Sequence, residues 1–350
     1  MVKGTLRVCH SSAITNIYRS LEANTAKTRN SVLHALYRAI VTAPESVPDT
    51  YFALSTSDEP RSDALSFARS ASTVDRSRNW LMPHFAFWSY PLTFVGALDE
   101  VLDKVSHIEA TTPWEKKTNK VVWRGSTNVN PSGHKDFRAK LVEVSTGKEW
   151  ADIEKLQWDE DGYTAKNALR IEEFCRYRYI VYTEGVTYSG RLPYHQVCAA
   201  VILTPPPLYL MHTTHLMRPL FSSALGLESS THYGPGATNS SWTTSYAPDE
   251  ANIVFVAPDW SDLGETVEWL QKHPDVAKGV AQRQRELMTT YLSPAAEACY
   301  WRALIKGWVK SARPVFAKNG VEPREGEWSR DEEGMRFENW ALIGETGVNE

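Results

Sequence analysis

Two short clusters combine arginine, glycine and hydroxyl side chains in an order that suits phosphate oxygens. The first, Arg124-Gly125-Ser126-Thr127, ends the apolar run Lys120-Val-Val-Trp. Arginine offers a planar fork of donors, glycine lets a bound group approach the backbone, and two hydroxyls add further hydrogen bonds. The second, Thr183-Glu184-Gly185-Val186-Thr187-Tyr188-Ser189-Gly190-Arg191, repeats the order of strand, glycine break, then Ser and Arg at the opening of a helix. Free N–H groups and the dipole of a helix start favour a diphosphate, and Arg191 can neutralise it without a metal. Each cluster alone is equally a salt-bridged arginine before a turn; two in one half of the chain are more specific.

Such a grip serves transfer from a nucleotide sugar, because charge develops on the departing diphosphate. The attacking acceptor hydroxyl must also lose its proton, which calls for a carboxylate across a cleft from the diphosphate. Asp58 is the candidate. It lies in Ser57-Asp58-Glu59-Pro60, just after the apolar stretch Tyr51–Leu54, and open α/β sheets bind ligands outside the carboxyl ends of their strands. The same residues are also good turn chemistry.

Other clusters carry less. Asp159-Glu160-Asp161 has the D-x-D pattern of a metal-diphosphate site, but no clear strand presents it and Gly162 follows. His212 and His215 are three apart without a visible third ligand and read as ordinary polar residues. H-E-x-x-H, G-x-x-x-x-G-K-[ST] and G-x-S-x-G are absent, against metalloprotease, Walker-type NTPase and common hydrolase readings, and a missing G-x-G-x-x-G ranks a dehydrogenase low. The four cysteines, Cys9, Cys175, Cys198 and Cys299, form no C-x-x-C pair. Asn239-Ser240-Ser241 fits a glycosylation sequon, a weak signal alone.

The elements that must hold these residues alternate between strand and helix, which predicts an α/β fold with parallel sheets and right-handed crossovers. Residues 1–117 read as a first half: a helix over 30–41, the strand Tyr51–Leu54, the aromatic stretch Trp80–Tyr90 and an acidic helix over 97–108. Residues 118–292 read as a second half. It holds strands over 120–125, 177–182, 201–203 and 253–256, helices over 135–144, 195–200 and 267–287, and a Ser/Thr/Gly-rich loop over 222–248. Residues 293–350 add a last helix over 294–311 and a charged, poorly periodic tail.

With 350 residues, two halves are the natural expectation. A formal charge of −4 supplies no general field for a polyanion, so no nucleic-acid partner is expected. No stretch is long and apolar enough for a signal peptide or a membrane span, so no membrane segment is expected in this chain, and an anchor lost to a shortened N-terminus stays open as an alternative.

The blocks WRGST, CRYRYIVYTEGVTYSGRLPYHQVCAAVIL, VFVAPDWSDLGETVEWL and CYWRAL resemble, in order and spacing, glycosyltransferase family 90 over roughly residues 51–310, and most of all its fungal, capsule-associated xylosyltransferase-like branch. The resemblance implies a GT-B fold: two Rossmann-like domains with a cleft between them, a C-terminal helix packing back, a UDP-sugar donor on the second half, and no cofactor or required metal. It implies transfer of glucose or xylose to a protein or glycan hydroxyl. By position, Arg124, Gly125, Ser126, Ser189 and Arg191 match the donor-diphosphate motifs, with Glu184 and Gly185 in the same loop, and Asp58 matches the acid of an early D-x-P motif, implied to be the base. Where Rumi-type protein O-glucosyltransferases of the family have a further Arg this chain has Thr127, so Arg138 is the cation expected to complete the phosphate shell. A His-Tyr pair is also missing near Asn252-Ile253, and these departures motivate a rival reading, an inactive sugar-nucleotide-binding protein. Cys175 and Cys198 fall where the family places a disulfide, which implies an endoplasmic reticulum or Golgi lumen enzyme. Cys9 and Cys299 are a further possible pair.

Overall fold

In the computed structural model, which describes residues 5–8, 23–62, 64–72, 79–90, 95–160, 164–228, 234–236, 241–318 and 335–344, the chain is mixed α/β with parallel sheets. Before residue 118 come β1 (Arg7–Val8), α1 (Ala23–Val41), β2 (Leu54–Ser55), β3 (Leu65–Ser66), β4 (Arg69–Ser70), β5 (Trp80–Leu81) and α2 (Leu98–Thr111). The next stretch holds β6 (Thr118–Gly125), α3 (Phe137–Ser145), β7 (Ala151–Lys155), β8 (Tyr177–Val181), α4 (Leu192–Gln196), β9 (Val201–Thr204), β10 (Tyr209–Leu210), β11 (Pro219–Phe221), β12 (Ile253–Phe255), α5 (Leu263–Lys272) and α6 (Pro274–Tyr291). It is followed by α7 (Pro294–Lys318), β13 (Met335–Arg336) and α8 (Phe337–Gly344).

The principal sheet has six parallel strands in the order β11-β12-β9-β8-β6-β7. Period-two alternation covers both of its faces. Val122, Ile180, Ile202, Ile253 and Phe255 point into one core, and Val121, Trp123, Tyr179, Val181, Leu203 and Val254 into the other. A fully buried aliphatic side chain contributes roughly 1.5 to 3 kcal/mol, so these strands are the stable scaffold. From β6 the chain steps outward to β7 and then returns to place β8 on the opposite side of β6. That reversal is a topological switch point, and its crevice opens at the carboxyl ends of β6 and β8.

A smaller parallel sheet, β2-β3-β5, lies in the first 117 residues. The first core joins it to the six-stranded sheet: Leu36, Phe67 and Met82 share one cluster with Ile180, Leu192 and Trp301. Helix α7 closes over this region. Trp308 donates to the carbonyl of Tyr51 at 2.7 Å, Tyr300 to that of Leu81 at 2.9 Å, and Glu297 pairs with Arg38 at 2.8 Å.

Several expected elements differ in detail. The single helix over 267–287 is two, because Pro274 lacks the N–H that would continue α5 and instead begins α6. The helix over 195–200 is only five residues and starts earlier, at Leu192, with Pro193 in its first turn. The tail contains an ordered piece, Met335–Arg336, antiparallel to Arg7–Val8. Cys175 and Cys198 are joined, with Cα atoms 4.8 Å apart, while Cys299 is free and exposed and Cys9 lies outside the described residues. Asn239 and Asp161 lie outside them too. No described helix is long and apolar enough to cross a membrane.

Candidate active site

Both arginine clusters sit where the switch point opens. Strand β6 ends in the first, and β8 runs into the second through Tyr182. A bond from the Trp123 indole to Thr183 Oγ1, 3.1 Å, ties the two strand ends together. Glu184 is buried, and its carboxylate accepts the backbone N–H groups of Leu208 and Tyr209, each at 2.9 Å. Burial pushes its pKa up to about 8, against the lowering effect of those two bonds. The N–H of Gly185 donates to the carbonyl of Tyr188 at 3.4 Å, and the Tyr182 hydroxyl accepts the N–H of Ser189 at 2.9 Å.

Two guanidinium groups converge on this loop. Arg138, near the start of α3, is buried and donates Nε to the carbonyl of Glu184 at 3.0 Å and Nη1 to that of Ser126 at 3.1 Å. Its backbone N–H is in turn held by Asn130 at 3.0 Å, whose amide also grips Thr127 and Lys135. Arg191 donates Nη1 to the carbonyl of Arg124. Neither makes an ion pair among the described residues, and each lies in the other's field or in that of the tyrosines beside it. Burial, then the repulsion of Arg191, lowers Arg138 to about 9; burial lowers Arg191 as well. A buried Arg138 beside a half-buried Arg191, with no carboxylate to balance them, is costly, and an anion placed between them relieves the cost.

Arg124 does not join them. Its guanidinium turns to the sheet edge, where it pairs with Asp152 at 2.6 Å and donates to the carbonyls of Asp152, Trp123 and Asn167. Gly125 is closed to any side chain, since a Cβ there would lie 2.5 Å from the Trp123 ring. The Ser126 hydroxyl accepts the Trp158 indole N–H at 2.8 Å, and Thr127 and Ser189 remain half-buried in the loop walls. The helix after Arg191 is too short to carry much dipole, so the expected helix-start contribution falls to the side chains.

Asp58 reaches this site from the other sheet. It follows β2 by three residues, and its carbonyl accepts the Thr187 hydroxyl at 2.7 Å. Asp58 and Arg191 both act on the half-buried Tyr90, and Asp58 acts on Tyr188, in keeping with the bond that holds Asp58 to the loop that carries Arg191.

The model of "Glycosyl transferase family 90" matches residues 9–233, more than half of the chain. The chain belongs to this family. It is similar to an "O-glucosyltransferase rumi homolog" of Anopheles gambiae, 26% identical over 269 residues that cover 73% of this chain and 58% of that protein. It is also similar to "Protein O-glucosyltransferase 1" of Mus musculus, 21% identical over 269 residues, 72% of this chain and 58% of the relative. The human "Protein O-glucosyltransferase 1" is 21% identical over 283 residues, 77% and 61%. The chain thus spans about six tenths of the length of these curated relatives.

For this family 90 chain, the electrostatics separate the acid from the cations. Asp58 keeps exposed surface, yet the partial burial of its carboxyl, then Glu59, raises its pKa above the usual carboxylate value. A raised carboxyl is the better proton acceptor once ionised. His212 is buried between Phe87 and Tyr300, and His215 meets the carbonyl of His212, so the pair faces aromatic rings and backbone. Asp159 accepts the hydroxyl of Thr164. A groove of about 810 Å³ is lined by Asn119, Trp150, Trp260 and Gln271, and none of Asp58, Arg138 and Arg191 lines it.

Sequence reasoning passed over Asn130, Tyr182 and His84. Asn130 carries a signal, the Asn-Pro pair that marks a turn. Tyr182 and His84 look like core aromatics until the halves come together.

Proposed function

We propose that the chain transfers a sugar, glucose or xylose, from a UDP-sugar to a hydroxyl of a protein or glycan acceptor. The observation that carries this is the pair of Arg138, buried, and Arg191, half-buried, neither with a carboxylate partner among the described residues, at the switch point beside the loop that Asp58 meets. The diphosphate lies between the two guanidiniums with Ser126 and Ser189 as hydroxyl partners. Asp58 accepts the proton of the acceptor hydroxyl as it attacks the anomeric carbon, and the leaving diphosphate is stabilised by the cations. Glu184, its carboxylate fixed by Leu208 and Tyr209, shapes the loop that borders the nucleoside. Arg124 contributes by bracing the end of β6.

The two sheets are the two Rossmann-like domains of a GT-B arrangement, residues 1–117 on the acceptor side and 118–292 on the donor side, with residues 293–350 returning to the first. No metal is required, since the arginines supply the charge. The disulfide supports a lumenal setting in the secretory pathway. The test is turnover of UDP-glucose, UDP-xylose and UDP-galactose by wild type and Asp58→Asn. The reading expects one donor to be slowly cleaved by wild type alone while the variant still binds it. Donor binding without cleavage by either protein favours an inactive sugar-nucleotide-binding protein, the reading motivated by Thr127.

A further inference from the structure

His84 meets the proposed donor loop from the first 117 residues. Its Nδ1 accepts the N–H of Ala86 at 3.2 Å, capping the short helical turn Phe85–Phe87. A backbone N–H can only donate, so Nδ1 carries a lone pair. Burial and then His212 drive the ring's pKa down to about 3, which leaves it neutral with its single proton on Nε2. No described residue accepts from that N–H.

The edge bearing Nε2 abuts Gly190, between Ser189 and Arg191. A Cβ on Gly190 would lie 2.6 Å from Cε1 and 2.8 Å from Nε2, so the imidazole occupies the space that a side chain would need. Phe85, Phe67 and Tyr188 fix the ring, with centroids at 3.8, 5.1 and 5.5 Å. Tyr90, which lies in the fields of both Asp58 and Arg191, has its ring centroid 6.1 Å from that of His84.

We propose that His84 is a positioning and specificity residue whose Nε2–H donates a hydrogen bond to a hydroxyl of the sugar being transferred. This rests on the reading of the crevice as a nucleotide-sugar site. A neutral donor suits a neutral hydroxyl, whereas the phosphate oxygens are matched by the charged arginines. The glycine at 190 is what gives the imidazole its place.

The test measures affinity for UDP and for UDP-glucose, and kcat/KM, in wild type, His84→Phe and His84→Gln. Phenylalanine keeps the ring and removes the donor; glutamine restores a donor. His84→Phe is expected to bind UDP within about twofold of wild type and to lose about 3- to 10-fold in UDP-glucose affinity and kcat/KM, with partial recovery in His84→Gln. Equal loss for UDP and UDP-glucose, or no loss for either, overturns the proposal. Should His84→Phe not melt cooperatively, Gly190→Ala carries the test by pushing the imidazole back. The same selective loss is expected, and unchanged UDP-glucose binding overturns the proposal. Wild type that binds no UDP sinks the nucleotide-sugar reading and this inference together; wild type that binds UDP beside an indifferent His84→Phe sinks only the inference.

Discussion

Replacing both Cys175 and Cys198 by alanine opens the covalent loop that encloses the second arginine cluster. The two are 23 positions apart, and the chain between them contains β8, residues 183–191 and α4. Chain-entropy accounting for a loop of that length gives about 3 kcal/mol of stabilisation. Both cysteines are completely buried, so alanine also removes a little packing beside Phe174. With an unfolding entropy near 2.1 cal/mol/K per residue, the loss corresponds to a fall in Tm of about 4 to 5 °C for a chain of 350 residues that unfolds as one unit. Thermal melting of wild type and double variant, each with and without dithiothreitol, measures it. Full reduction should bring wild type down to the variant and leave the variant unchanged. The increment in Tm that UDP adds should also shrink in the variant, because the loop that carries Ser189 and Arg191 is less constrained. A double variant melting within about 1 °C of wild type refutes the entropic argument, provided that thiol titration confirms the wild-type bond.

Arg124→Ala should lower Tm by removing the Asp152 pair and three carbonyl bonds while changing UDP affinity by less than about threefold, which calorimetry beside thermal melting checks; a large selective loss of UDP binding contradicts the assignment of Arg124 to the sheet edge. Because the pKa of Asp58 is raised, the base is ionised only above that value, and the acid limb of kcat/KM should lie above the free carboxylate's value of about 3.9. The linkage has a definite sign. A folded pKa above the unfolded one stabilises at low pH and loses that contribution as pH rises through the folded value. Asp58→Asn should therefore melt above wild type at neutral pH, with the gap closing on acidification.

Four strands of the principal sheet were legible where apolar residues run together, as in Val121–Trp123, Tyr179–Val181, Val201–Leu203 and Ile253–Phe255, whereas β11, the equally apolar Pro219–Phe221, was not read as a strand. Strand β7 was missed too, because Ala151-Asp-Ile-Glu-Lys lies at a sheet edge, half-buried over its first three residues and exposed over its last two. Missing β7 also hid Asp152, the partner that turns the Arg124 guanidinium away from the crevice. Strands β2 and β3 gave only a weak signal, since Ser55 and Ser66 supply half of their short length. The strand end of Asp58 and the loop of Arg191 were each readable from local chemistry, yet their meeting depends on the bond from Thr187 to Asp58 across 129 positions. Arg138 emerged only as a substitute for an arginine missing at Thr127, although the structure brings it from α3 to the second loop, where it holds the carbonyls of Glu184 and Ser126. Local sequence states which donors exist; the three-dimensional register decides which of them remain for a ligand.

The most direct measurement is calorimetric titration of UDP into wild type, Arg138→Ala and Arg191→Ala, with melting curves to establish that each is folded. The account predicts that wild type binds and that each folded variant loses about 2 to 4 kcal/mol of binding, some 30- to 1,000-fold, as expected for a charged hydrogen bond lost in a desolvated site. Folded variants that bind UDP as wild type does contradict the claim that these two arginines hold the diphosphate.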